Sequence, residues 1–194
     1  YLEYLIYLNT FTKKNLTCRV SARYILRKIN YKSNSKVLMI NNNILKRSNW
    51  SNYTQFFVTI GLRKILQENF IDYPKNNILY KDYKSSPYDY GKGFTYSKIL
   101  NNINLDRTNI KERIKNNEFE YIIYGLMGAD ESDIGDIRLN CPFWNEVYNN
   151  YSKNKIIFLY GGDRMHSKNN KNLLEHLFYH SKFGYCFVRE LDLS

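Results

Sequence analysis

Short apolar segments recur along the chain between longer segments with helical spacing. Five such segments, at 36–40, 70–73, 120–127, 155–162 and 185–191, are largely apolar and do not alternate strictly between polar and apolar positions. Strands of this kind are buried on both faces, as in a parallel sheet that helices cover on both sides. The pattern therefore predicts a mostly parallel sheet of five strands.

Helical periodicity fills most of the intervals between these strands. Five helices are predicted. The first covers 13–31, and the second is capped by Ser51 or Asn52 and ends near residue 69. The others are 106–117 with Asp106 as its N-cap, 140–153, and 171–184, which ends at Gly184. Alternating strands and helices are typical of a doubly wound α/β fold. We predict a Rossmann-like domain over 36–194, preceded by an amphipathic basic helix or extension over 1–35. The segment 74–105 is expected to be irregular.

In open parallel sheets, ligands bind in the crevice beyond the carboxyl ends of the strands. The segments 41–43, 125–128 and 161–163 follow or end three of the predicted strands at that edge. We expect Asp72, Tyr73, Asp82 and Tyr83 to come together there, because Pro74 ends the second strand. The predicted ligand-binding residues of this edge are Asp72, Tyr73, Asp82, Tyr83, Gly161, Gly162, Arg189 and Glu190.

The segment after the fourth strand carries the candidate catalytic residues. Asp163 suits a general base or a group that orients a hydroxyl, and His166 suits its partner. An ordinary strand-to-helix turn is the alternative explanation. A second glycine-containing segment, with Gly91 and Gly93 around Lys92, suits a loop that contacts an anion. Neither a dinucleotide-binding nor a P-loop motif occurs, so no cofactor is predicted.

Positive charge is concentrated at the start of the chain. The net charge is +11, and residues 1–70 contain 12 Lys/Arg against Glu3 and Glu68. Arg19, Arg23 and Arg27 are four residues apart and so lie on one face of the predicted helix, with Lys28 beside them. Such a face attracts RNA, an anionic membrane surface or a partner protein, although a solvated basic face without a specific partner explains it equally well.

Other chemistry is limited by composition. Three widely spaced cysteines favour a reducing, intracellular compartment, either cytoplasmic or organellar, mitochondria included. The four acids of 130–136 fit a solvated loop better than a metal site, so no metal is predicted. No apolar run is long enough for a membrane span. A first residue other than Met is typical of a fragment or a processed product.

Several motifs give the chain a family resemblance. The segments "DYPK" and "LYKDY" within 72–83, "GKGFTYSKIL" at 91–100 and "FVREL" at 187–191 are the most specific. Over about residues 36–192 the chain resembles the N-terminal Rossmann-like half of GT-B-type, family-1-like glycosyltransferase-like proteins of bacteria and large DNA viruses. That resemblance implies the acceptor-side half of an enzyme that takes its sugar from a nucleotide sugar, without a tightly bound metal.

The chain departs from the family pattern at two places. Ile60 stands where members usually carry His, and Tyr160-Gly161-Gly162-Asp163 stands where they usually carry Asp-Gly-Glu-Asp. The family's second Rossmann-like domain, which supplies most nucleotide-sugar contacts, lies outside the resemblance. We therefore expect residues 1–194 alone to be inactive, whether as half of an enzyme or as a non-catalytic relative. The alternative is a scaffold subunit of a larger assembly, which docks through its basic N-terminal segment.

Overall fold

The computed structural model describes residues 1–41, 53–84, 96–127, 141–160 and 171–188. Within these ranges, five strands form one sheet in which every neighbouring pair is parallel, with the order β2-β1-β3-β4-β5. The strands are β1 Val37–Ile40, β2 Phe70–Tyr73, β3 Tyr121–Met127, β4 Ile156–Tyr160 and β5 Tyr185–Val188. The predicted α/β class, Rossmann-like and with a parallel five-stranded sheet, is confirmed.

Helices precede the sheet and cover both of its faces. They are α1 Leu2–Asn15, α2 Cys18–Lys28, α3 Tyr53–Leu66, α4 Ile110–Lys115, α5 Trp144–Asn150 and α6 Lys171–Ser181. Successive residues of a strand point to opposite faces. Leu38 and Ile40 accordingly pack in one apolar cluster with α4 and α5, and Val37 and Met39 in a second cluster with α2 and α3.

The N-terminal segment differs from its prediction in two respects. The single helix expected over 13–31 is wrong, because α1 and α2 are separate helices and the Thr17 side chain accepts a hydrogen bond from the Val20 N–H at the start of α2. Helical spacing predicts an apolar face made of Leu16, Val20, Tyr24, Ile25 and Ile29. Ile25 and Ile29 are buried as expected, but Leu16 and Tyr24 are exposed. The residues that α2 buries are Ala22, Ile25 and Leu26.

Close packing fixes α2 against α3. A Cβ added at Gly61 of α3 would lie 2.0 Å from the Cys18 carbonyl oxygen and 2.8 Å from the Ala22 Cβ. The basic face of α2 points the other way, and its residues Arg19, Arg23, Arg27 and Lys28 are all exposed. α2 thus shares a core with the strands, and the boundary at residue 35 stays a prediction.

The segment after β2 covers the outer side of α3. A third apolar cluster joins Phe56 and Ile60 of α3 to Leu79, Tyr80 and Leu100. The segment is partly ordered, with a 3-10 turn at Asn77–Leu79 and a parallel bridge between Tyr80 and Leu100. Because both sides of α3 are covered, most of its residues are buried. Apart from this 3-10 turn and bridge, the described residues of 74–105 form no helix or strand, so this part is irregular as expected.

Asp106 does not cap the helix that follows it. α4 begins later, at Ile110, after Asn109 in the left-handed backbone region. Asp106 instead accepts hydrogen bonds from both the backbone N–H and the hydroxyl of Thr108. The two polar groups of Thr108 thereby hold Asp106 in a turn before the helix.

Candidate functional site

The strand order places a topological switch point between β1 and β3. The chain leaves β1 towards β2 on one side of the sheet, while β3 begins the series that continues on the other side. In doubly wound folds, connections that diverge in this way create a crevice between the two strands, and ligands bind in it. Ile40 pairs with Tyr124 at the end of β1, so Asn41 and Gly125 follow at the mouth of this crevice.

Asn41 joins three elements at the mouth of the crevice. Its backbone N–H donates to the Tyr73 carbonyl at 2.7 Å, and its Nδ2 donates to the Pro74 carbonyl at 2.7 Å. Its Oδ1 accepts a hydrogen bond from Gln55 Nε2 at 2.8 Å. Asn41 is fully buried, so the ends of β1 and β2 and the first turn of α3 are fixed to one another.

Gly125 gives this amide pair its space. A Cβ at Gly125 would lie 3.0 Å from Met39 Cε, 3.1 Å from Gln55 Cδ and 3.2 Å from Asn41 Oδ1. Such distances are tighter than ordinary contacts, but each involves a side-chain atom that can shift. Glycine therefore lets the two amide side chains sit over the end of β3.

The first turn of α3 contributes a second polar group. Thr54 is buried, and its hydroxyl has no hydrogen-bond partner among the residues that the structure describes. The N–H groups at the start of a helix point out of it and carry partial positive charge. The carboxyl edge of the sheet therefore brings amide and hydroxyl groups together beside the first described turn of α3.

A buried ionic network stands at the end of β2. The Asp72 side chain has no solvent exposure. Its Oδ1 accepts hydrogen bonds from Arg63 Nη2 at 2.8 Å, Arg107 Nη2 at 2.7 Å and the Tyr80 hydroxyl at 2.9 Å. Its Oδ2 accepts a hydrogen bond from the Asn76 N–H at 3.1 Å. One carboxylate thus organises α3, the segment after β2 and the segment before α4.

The network compensates for the burial of its charges. Removing ions from water is costly unless hydrogen bonds replace the lost hydration. Arg63 also donates to the carbonyl oxygens of Gln67 and Phe70, and Arg107 Nε donates to the Asp72 carbonyl at 2.8 Å. Burial, with a smaller effect of the Asp72 charge, raises the pKa of Tyr80 to about 12. The Tyr80 hydroxyl is therefore neutral near pH 7 and donates its hydrogen.

The four residues expected to converge have different surroundings. Tyr73 is half-buried with its ring centroid 6.1 Å from that of Phe143. Asp82 is exposed and pairs with Lys75, whose Nζ lies 2.8 Å from Oδ2. Tyr83 donates its backbone N–H to the Tyr80 carbonyl. The tyrosine that contacts Asp72 is therefore Tyr80, and ligand binding by Asp72, Tyr73, Asp82 and Tyr83 stays a prediction.

The remaining predicted site residues lie outside the described ranges. They are the proposed catalytic pair Asp163 and His166 together with Gly91, Gly93, Gly161, Gly162, Arg189 and Glu190. Within the described ranges, at the end of β4, the buried Tyr160 hydroxyl contacts His180 Nδ1 of α6. Burial raises the pKa of Tyr160 far above its usual value. The described ranges contain no group of three or more His, Cys, Asp or Glu residues that could hold a metal ion.

Sequence reasoning missed four residues of this edge: Gln55, Arg63, Tyr80 and Arg107. Only Tyr80 had a usable signal, because it stands in the "LYKDY" motif. The other three are brought to the edge by tertiary packing. Comparisons of the chain with known protein families, with curated proteins and with solved structures found no match. The family resemblance described above is therefore carried by sequence motifs alone.

Proposed function

We propose that this chain is the acceptor-side half of a GT-B-type glycosyltransferase-like protein. In this role, the crevice between β1 and β3 binds a hydroxyl-rich ligand. One observation carries the proposal: a buried amide pair, Asn41 and Gln55, stands beside Gly125 at the switch point of the sheet. Amide side chains combine donors with acceptors, as sugar hydroxyls do, and fixed polar groups at a switch point are suited to orient such a ligand.

In this proposal, the residues at the carboxyl edge of the sheet position the ligand. Asn41 and Gln55 fix the wall of the crevice, and the Asp72 network fixes the neighbouring strand end. Transfer in this arrangement needs donor and acceptor held between two domains, because both faces contribute orientation and electrostatic stabilisation. Residues 1–194 alone should therefore bind ligand without releasing nucleotide from nucleotide sugars. Asp163 and His166 remain the predicted catalytic pair.

Calorimetric titration with a panel of free sugars and nucleotide sugars tests the binding step. The informative variant is Gly125→Ala, whose new Cβ crowds Gln55 and Asn41. Val147→Ala is the matched control, because Val147 is buried in α5 away from the amide pair. We expect Gly125→Ala to weaken binding about tenfold or more while Val147→Ala leaves it unchanged. Equal affinity in both variants, or no binding by any member of the panel, would contradict the proposal.

Nucleotide release tests the catalytic part separately. Incubating the chain with nucleotide sugars should give release no faster than a protein-free blank. Release that disappears in Asp163→Asn would instead make this chain an enzyme by itself, with Asp163 as a catalytic residue. The binding proposal is independent of that outcome, because it concerns the crevice rather than the chemical step.

A scaffold subunit is the second candidate function. The observation that favours it is the exposed basic face of α2, with Arg19, Arg23, Arg27 and Lys28. In this case the domain docks through its N-terminal segment and the crevice has no ligand. Binding of a partner with no response to any sugar would favour this candidate over the first.

A further inference from the structure

The N-terminal half of α1 exposes large apolar side chains around its circumference. Within the described part of the chain, no residue of α1 is buried, and none of the apolar clusters includes one. Leu2, Leu5, Tyr7 and Leu8 are between 39% and 70% exposed. Successive helical residues are about 100° apart, so these side chains point in different directions. An exposed run of large apolar side chains of this kind is normally covered by protein or lipid.

Positive charge follows this apolar segment in the sequence. Lys13 and Lys14 lie in the last turn of α1, and the exposed arginines of α2 begin four residues after Asn15. From Tyr4 to Gln67 the sequence contains no Asp or Glu. An apolar segment bounded by a cluster of Lys and Arg is typical of chains that bind acidic membranes, since the apolar part enters the acyl region and the cations meet the headgroups.

We propose that α1 and the basic face of α2 together bind the surface of a membrane rich in acidic lipids. α1 has 14 residues. Its length of about 21 Å is less than the hydrocarbon thickness of a bilayer. Among the described residues, no helix is long and apolar enough to cross one. α1 therefore enters one leaflet, and the arginines of α2 contact the headgroups beside it.

Two other occupants fit this surface less well. RNA would pair with the cations but would leave the apolar side chains of α1 in water. A second copy of the chain would cover those side chains but would bring two sets of Lys and Arg side chains together, which is unfavourable. A bilayer with acidic headgroups satisfies both parts of the surface. Tyr4 and Tyr7 also suit the boundary between headgroups and acyl chains, where tyrosine is enriched.

Vesicle flotation with the whole 194-residue chain tests the proposal. The vesicles are phosphatidylcholine alone and an equal mixture of phosphatidylcholine and phosphatidylserine. We expect binding to the mixed vesicles that is at least about tenfold tighter than to the neutral ones and that weakens as salt is added. Equal binding to both vesicle types, or binding to neither, would overturn the proposal.

Matched variants separate the two parts of the surface. Ile6→Glu places a charge on α1 at an exposed position, and Phe178→Glu does the same on α6 as its control. A triple change of Arg19, Arg23 and Arg27 to Gln removes three cations, and its control changes the exposed Lys81, Lys153 and Lys182 to Gln. Ile6→Glu and the triple arginine variant should each weaken binding about tenfold or more, with both controls unchanged.

Two results would overturn the assignment of this surface. Equal losses in the variants and their controls would show that α1 and α2 are not the contact. A stable dimer in gel filtration that vesicles do not dissociate, and that Ile6→Glu converts to monomer, would show that a second copy covers α1. Because these readouts involve no sugar, they remain informative if the proposed glycosyltransferase-like function fails.

Discussion

The Tyr80 hydroxyl donates a hydrogen bond to the buried Asp72 carboxylate over 2.9 Å. This contact joins the segment after β2 to the end of that strand, where Arg63 and Arg107 bind the same carboxylate oxygen. The "DYPK" and "LYKDY" motifs therefore meet through their first Asp and their first Tyr. Both motifs have a structural role at the carboxyl edge of the sheet.

The first prediction concerns the charge at the centre of this network. Asp72→Asn leaves Arg63 buried without its counter-ion, and breaking a buried pair in this way costs about 3–5 kcal/mol of unfolding free energy. Asp82→Asn is the matched control, because Asp82 makes an exposed pair with Lys75 worth about 0–1 kcal/mol. Urea unfolding measures both. A cost for Asp72→Asn as small as that of the control would contradict the structural role of the network.

The second prediction concerns the contact between α2 and α3. Gly61→Ala places a Cβ 2.0 Å from the Cys18 carbonyl oxygen, so the backbone of α2 has to move. Overpacking costs about 1–3 kcal/mol, which exceeds the gain of about 1 kcal/mol from replacing glycine in a helix. Gly125→Ala, which meets only side-chain atoms, should cost less. Thermal unfolding compares the stability of the two variants. A Gly61→Ala variant as stable as the parent chain would show that α2 does not pack against α3 in this way.

The third prediction concerns stability in alkali. The folded protein raises the pKa of Tyr80 from 10.0 to about 12, chiefly through burial. The fold therefore favours the neutral phenol, and this contribution to stability is complete below pH 10 and is lost as the pH rises towards 12. Tyr80→Phe should reduce the fall in unfolding free energy between neutral pH and about pH 11. Tyr148→Phe, at an exposed position, should leave this fall in unfolding free energy as it is. The same fall in Tyr80→Phe as in the parent chain would count against burial of the Tyr80 hydroxyl.

The fourth prediction concerns stability in acid. Hydrogen bonds from Arg113 and Lys36 lower the pKa of Glu118 from 4.5 to about 2. This contribution to stability is present above pH 4.5 and is lost as the pH falls towards 2. Glu118→Gln should lower stability at neutral pH and flatten the acid dependence. Glu112→Gln is the control, because Glu112 makes an exposed pair with Lys115. Denaturant titrations at several pH values measure the unfolding free energy of both variants. The same pH dependence in the two variants would refute the prediction.

The strands were predictable because burial on both faces leaves a local signal. β2 has the predicted bounds, and the other strands differ by a few residues at their described ends. The break between α1 and α2 was not predictable, because helical spacing continues through Leu16 and Thr17. The burial of α3 on both sides was not predictable either, since the cover comes from Leu79, Tyr80 and Leu100, which are distant in sequence.

The candidate site was predictable only as a position in the fold. Strand order and the polar residue after β1 place Asn41 at the carboxyl edge, as expected. No local pattern, however, connects Asp72 with Arg107, which is 35 residues later. Pairings of this kind depend on how loops return to the sheet, so sequence spacing pointed to Asp82 and Tyr83 and missed Tyr80.

A titration of the ¹⁵N-labelled chain with sugars and nucleotide sugars, followed by backbone amide chemical shifts, tests whether the crevice between β1 and β3 is the ligand site. If it is, the largest shifts for a binding sugar occur at Asn41, Gln55 and Gly125, and Gly125→Ala reduces them. Shifts confined to residues away from these three, or no shifts with any compound, would contradict this placement of the ligand site.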